Sequence, residues 1–206
     1  MVLRANRGGL RRDGRMPHRS FDPRRVGRLE CHAWVSYYRR EWVAFLRAAL
    51  GLTRHTFGLS WPKTIWGSWL VLHANQQWAP FPVNDVDGAR RTMERFYALV
   101  ARRYGEPFDP LRAAVLEVEW WRVHREHQCG PDEPDDPLVD ALAALYAYVY
   151  DVPEEAVRLA AEQRTLAMRY SDRWVREGRD RASPLIDVER AALVRSYAGL
   201  LAAVHR

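Results

Sequence analysis

The sequence predicts an all-α fold, a single-domain helical bundle of about seven helices, and three observations lead there. Apolar residues recur at helical rather than alternating spacing, and no convincing strand pattern appears. Capping oxygens stand beside prolines suited to a first helical turn in Asp22-Pro23, Ser60-Trp61-Pro62, Asp109-Pro110, Asp136-Pro137 and Ser183-Pro184. Gly105, Gly130 and Gly178 then fall where helices should stop. With 206 residues, 48% of them hydrophobic, the chain is long enough to bury a core and short for two domains.

The first helix is expected over residues 23–50, where Glu30, Trp34, Tyr37, Glu41 and Ala48 share one stripe opposite Arg39, Arg40 and Arg47. The second, over 62–78, puts Trp66, Trp69, His73, Gln76 and Gln77 on one face. In the third, 87–104, Glu94 lies beside Arg90 and Arg91 as solvated charge. The fourth, 110–128, is apolar on nearly every side, from Leu111 through Val115, Trp120 and Trp121 to Val123, and reads as a central helix. A fifth is expected over 137–150. The sixth, 152–177, opens on Asp151-Val-Pro-Glu154, which has capping-box spacing. It carries Asp172 on a stripe with Val157, Ala161, Met168 and Val175. A seventh spans 184–204. The Pro/Asp stretch from Gly130 to Pro137 is a connection within one domain.

The net charge of +6 divides unevenly. Residues 1–28 hold nine arginines against Asp13 and Asp22, whereas residues 29–206 hold 23 basic and 24 acidic side chains. We therefore expect a basic, disordered N-terminal arm over 1–22, able to touch a polyanion weakly, and a neutral helical domain over 23–206. Cys31 and Cys129 have no second cysteine at metal-ligand or redox spacing, which excludes a disulfide framework and a zinc knuckle and points to the cytoplasm. The longest apolar runs, 65–74 and 138–150, are too short for a transmembrane segment. Walker, Gly-x-Gly-x-x-Gly, nucleophile-elbow and His-Glu-x-x-His motifs are absent.

Chemistry is sought where titratable groups fall on faces that periodicity would bury, because burial is costly without a partner, a metal or a function. Glu117 and His124, seven residues apart, lie about 20° from each other on a helical wheel. Glu119, Arg122 and Glu126 have instead the spacing of a surface ion-pair ladder. Carboxylates and histidines from several helices are the ingredients of a dinuclear iron or manganese centre. On that basis Glu30, Glu41, His73, Glu117, His124 and Asp172 are candidate metal ligands. Tyr37 and the tryptophans would shape a pocket for an apolar or aromatic small molecule, and the expected activity is a metal-dependent, di-iron-type oxidase or hydroxylase. Against this, the Glu-x-x-His pair is missing, since Glu117 and His124 stand roughly 10 Å apart along the axis. The competing expectation is a non-catalytic helical module that binds a protein or ligand and uses these groups as a buried hydrogen-bond network. Membrane attachment through 61–81 is disfavoured because Lys63 is its only cation.

The run Leu116-Glu-Val-Glu-Trp-Trp-Arg-Val-His-Arg125, with His73-Ala-Asn-Gln-Gln-Trp78 and Ser171-Asp-Arg-Trp-Val175, resembles a group of actinobacterial proteins to which no activity is assigned. The resemblance spans most of residues 29–206 and implies a bacterial, cytoplasmic origin.

Overall fold

The computed structural model describes residues 17–129 and 136–205. Eight α-helices make up the body: α1 (Pro23–Tyr38), α2 (Trp42–Phe57), α3 (Trp61–Trp78), α4 (Val86–Tyr104), α5 (Pro110–Cys129), α6 (Asp136–Tyr150), α7 (Glu154–Arg176) and α8 (Leu185–Val204). No strand occurs among the described residues. Each helix packs on its neighbours in sequence and α8 returns to α1, so the contacts close a ring. The main core fills this ring from Leu70 and Ala74 through Phe96 and Val100 to Leu142, Val157 and Leu200.

The punctuation read from the sequence largely places the helix ends. Asp22 caps α1 by accepting from the Arg24 amide at 2.9 Å, and Gly105 closes α4 in the left-handed region at φ 70°. Asp151 departs from its expected role. It lies at φ 54°, and Pro153 occupies the N-cap of α7. Gly130 and the connection up to residue 135 lie outside the described residues.

The expected first helix is two. Between α1 and α2 the chain turns through Arg40 at φ 59°, a conformation that costs a non-glycine residue free energy. A clasp from the α7–α8 connection holds the corner. The Arg39 guanidinium donates to Glu41 at 2.8 Å and to the Arg179 carbonyl at 2.7 Å, Arg179 donates back to the Tyr38 carbonyl at 3.2 Å, and Arg181 donates to Glu41. The partners lie about 140 positions away in sequence, so the helical pattern of 23–50 gives no warning of the break.

Two further expectations are corrected. Helix α5 is not surrounded on all sides: Trp121 and Val118 are buried, but Leu111, Arg112, Arg122 and Glu126 face solvent. The Glu119–Arg122–Glu126 ladder forms on that wet side as expected. The body also begins before residue 23, because Pro17–Arg19 form a 3-10 turn and His18 and Phe21 are buried. The expectation of a disordered arm otherwise concerns residues 1–16, which lie outside the described residues.

The turn is pinned by charge. Glu106, just beyond α4, receives Arg19 through Nη2 at 2.8 Å and Nε at 3.3 Å. A ring nitrogen of His18 approaches Glu106 to 2.8 Å, although without the alignment of a good hydrogen bond. His18 also lies against the Tyr104 ring at 4.7 Å. Burial raises the Glu106 pKa, but His18 and Arg19 outweigh it and bring it down to about 2. A carboxylate held this low contributes stability above its unfolded pKa of 4.5 and loses it as pH falls toward 2. Glu106→Gln is therefore expected to cost about 2 kcal/mol at pH 7, with solvent screening allowed for. In urea melts the gap to the parent should close between pH 4.5 and 2. An unchanged gap across that window would show that Glu106 acts through packing alone.

Candidate functional site

The six proposed ligands reach four separate places. Glu30 on α1 is buried and grips Arg164 of α7 with both oxygens, Nη1 donating to Oε2 at 3.0 Å and Nη2 to Oε1. The Tyr197 hydroxyl donates to the same Oε2 at 2.5 Å. The Arg164 guanidinium carbon also lies 5.8 Å from the Trp34 ring centre, 5.6 Å from that of Trp120 and 6.0 Å from that of Tyr197. Glu117 belongs to the same interior. Tyr97 donates to its Oε2 at 2.6 Å and the Trp121 indole N–H to its Oε1 at 3.2 Å. Burial raises the Glu117 pKa, opposed by the Tyr97 bond and by the positive field of Arg164. One of the proposed ligands thus grips a cation that the protein itself supplies, and a second lies within the field of that cation.

His124 and Asp172 do meet, with Nε2 3.0 Å from Oδ2, and Gln128 donates to the other Asp172 oxygen at 2.6 Å. They form a bridge between α5 and α7. Glu41 is engaged at the α1–α2 corner, where its bonds to Arg39 and Arg181 lower its pKa. His73 stacks on Trp69 with ring centres 5.7 Å apart and planes 3° from parallel, and Trp69 itself faces outward. Tyr37, expected to shape the pocket, lies at the end of α1, 44% exposed against Trp42 and Phe45. Among the described residues no three His, Cys, Asp or Glu side chains come together in a way that could hold a metal ion.

Two inward ionisable groups escape the sequence reading, although the signal for each is present. Arg164 continues the α7 stripe of Val157, Ala161 and Met168, and Glu189 continues the α8 stripe of Leu193, Ser196, Leu200 and Ala203. Glu189 is fully buried and neither carboxyl oxygen finds a hydrogen-bond partner. The Cys31 thiol is adjacent, but it points to the Ile186 carbonyl at 3.6 Å. Burial raises the pKa of both groups, that of Glu189 to about 8. For His18 the sequence offers no signal, since it stands in the basic arm outside any periodic segment.

The least expected feature is on the outside. Eight of the thirteen exposed large apolar side chains fall between Tyr37 and Trp69. Trp42, Val43 and Leu46 project from α2, and Trp61, Ile65, Trp66 and Trp69 from α3, each 47–64% exposed. Their expected place was lining a pocket, but, apart from Trp78 at the end of α3, the buried residues of α2 and α3 are smaller: Ala48, Thr53, Thr56, Thr64, Gly67, Leu70 and Ala74. With small residues turned inward, the large rings are turned outward.

A cleft of about 190 Å³ opens elsewhere, between Trp78, Phe81, Val118 and the arginines Arg90, Arg122 and Arg125. It is smaller than the roughly 300 Å³ at which ligand pockets begin, and none of the candidate ligands lines it. No helix among the described residues is long and apolar enough to cross a membrane. Comparison of the chain with protein-family models, curated proteins and solved structures finds no match.

Proposed function

We propose that this protein is a non-catalytic helical binding module whose working surface is the outward aromatic face of α2 and α3. The observation that carries this reading is the concentration of half-exposed Trp42, Trp61, Trp66 and Trp69 with Val43, Leu46 and Ile65 on two adjacent helices. Exposed apolar surface concentrated in this way marks interaction sites. The interior supports the same reading, because the inward carboxylates that suggested a metal centre already have partners, Glu30 in Arg164, Glu117 in Tyr97 and Asp172 in His124.

The reading is tested with the triple variant Trp61→Ser, Trp66→Ser, Trp69→Ser. Because these rings are outside the core, its stability should stay within about 1 kcal/mol of the parent, whereas three core tryptophans would each cost about 3–5 kcal/mol. A fluorescent amphiphile such as anilinonaphthalene sulfonate should bind the parent and lose its site in the variant. Equal dye binding by both proteins, or iron or manganese at one equivalent or more in untagged parent protein, would overturn the reading and return the metal-dependent oxidase to the front.

A further inference from the structure

The charge on this face narrows its partner. From Trp42 to Asn84 the chain has no Asp or Glu, although it has 26 in all, and its formal charges there are Arg47, Arg54 and Lys63. Read alone, residues 61–81 contribute only Lys63; the structure sets α2 alongside and adds two arginines. The helices are joined by the Ser68 hydroxyl, which donates to Thr53 at 2.9 Å, and by the Arg54 guanidinium, 4.4 Å from the Trp61 ring centre. Arg47 and Lys63 are exposed on the same two helices. The result is an aromatic and aliphatic surface with positive charge and no negative charge of its own.

Three kinds of occupant respond differently to such a surface. A second copy would set arginine and lysine against arginine and lysine, with no carboxylate on either face to answer them. A helical peptide wants a groove for its anchoring side chains, but here the rings project, and the cleft lies away from them between α3, α4 and α5. A fluid interface needs no groove. Indole rings favour the headgroup level, where the ring is dehydrated and the N–H stays wet, and neighbouring cations add attraction to anionic lipid. The chain also enters the described body through the 3-10 turn at Pro17–Arg19, which packs on α2, and residues 1–16 before it hold five arginines and one aspartate.

We propose that the α2–α3 face docks the protein on the surface of an anionic phospholipid bilayer, with Trp42, Trp61, Trp66 and Trp69 seated at the headgroups and Arg47 and Lys63 answering the lipid charge. The inference rests on the reading of this face as the binding surface. The helices lie on the interface and do not cross it.

Sedimentation of the full chain with vesicles tests it, comparing phosphatidylcholine alone with a phosphatidylcholine–phosphatidylglycerol mixture. Partition onto the mixture should be at least about tenfold stronger and should weaken with salt. The triple tryptophan variant should lose about tenfold or more of it at an unchanged melting midpoint. Arg47→Glu with Lys63→Glu should weaken the preference for the anionic mixture by about tenfold at an unchanged melting midpoint. Three results would overturn the proposal: equal partition onto both vesicle types, polyglutamate competing as well as vesicles do, or a dimer in light scattering that the tryptophan variant dissolves. Absence of vesicle binding while the dye still binds the face would also end the lipid assignment, yet leave the binding-module reading standing; loss of dye binding to the parent would end both.

Discussion

Arg164→Met is expected to cost about 3–5 kcal/mol, the usual penalty for stripping the partner from a buried charge. The Arg164 guanidinium holds both oxygens of Glu30, the Tyr197 hydroxyl shares one of them, and the rings of Trp34, Trp120 and Tyr197 surround it. Only 13% of the Arg164 side chain and 4% of the Glu30 side chain meet solvent. Removing the cation leaves a carboxylate in low dielectric, with Glu117 close enough to feel the same loss. The companion variant, Glu30→Leu with Arg164→Met, should recover at least half of that cost, because a well-packed apolar pair is often as stable as the ion pair it replaces. Chemical denaturation of the double variant and both singles gives the coupling, expected to exceed about 2 kcal/mol. If Arg164→Met costs less than about 1 kcal/mol, water reaches the pair and α1, α7 and α8 are not joined through it.

That pair also shows what the sequence can and cannot say. Helix ends are legible because capping is local: Asp22, Gly105 and the Ser183-Pro184 start of α8 satisfy or terminate backbone within a few residues. The α1–α2 corner is not, since part of what holds its strained turn, the bonds of Arg39, Tyr38 and Glu41 to Arg179 and Arg181, comes from a distant stretch of the chain. For the interior, periodicity finds groups on buried faces but not their partners. It picks out Glu30 and Glu117 as inward carboxylates, and both are engaged internally, but it leaves their cation unnoticed on the α7 stripe. A wheel gives a direction and no distance, so it cannot separate ligands converging on a metal from groups that pair across the bundle. The tryptophans mislead for a related reason. Ring size alone does not decide burial: apart from Leu70 and Trp78, α2 and α3 turn alanine, threonine and glycine inward where they close on α1 and α4.

Glu189→Gln should stabilise the protein by about 3 kcal/mol at pH 7, an unusual outcome for a change at a fully buried position. The sign follows from the proton. In the folded chain the Glu189 pKa stands near 8 against an ordinary value of 4.5, so the folded state holds a proton that the unfolded state releases. Stability is then fully present below pH 4.5 and is lost progressively as pH rises to about 8. Burial is the main cause. The groups facing Glu189 do not reverse it: the Cys31 thiol on α1 and, more weakly, Arg190 on α8 pull its pKa down, but Glu30 on α1 and Asp172 on α7 add to the rise. An amide in place of the carboxyl would keep the shape without a proton to lose. The difference between parent and variant in urea melts should therefore be near zero at pH 4.5 and widen steadily to pH 8; taking the difference removes the titration of the seven histidines, which both proteins share. Glu189→Met, which also removes the unpartnered oxygens, should gain at least as much at neutral pH. A parallel pair of pH profiles would mean that water or a cation reaches Glu189, and that the small core of Cys31, Ala167, Ala192 and Leu193 between α1, α7 and α8 is wetter than its packing indicates.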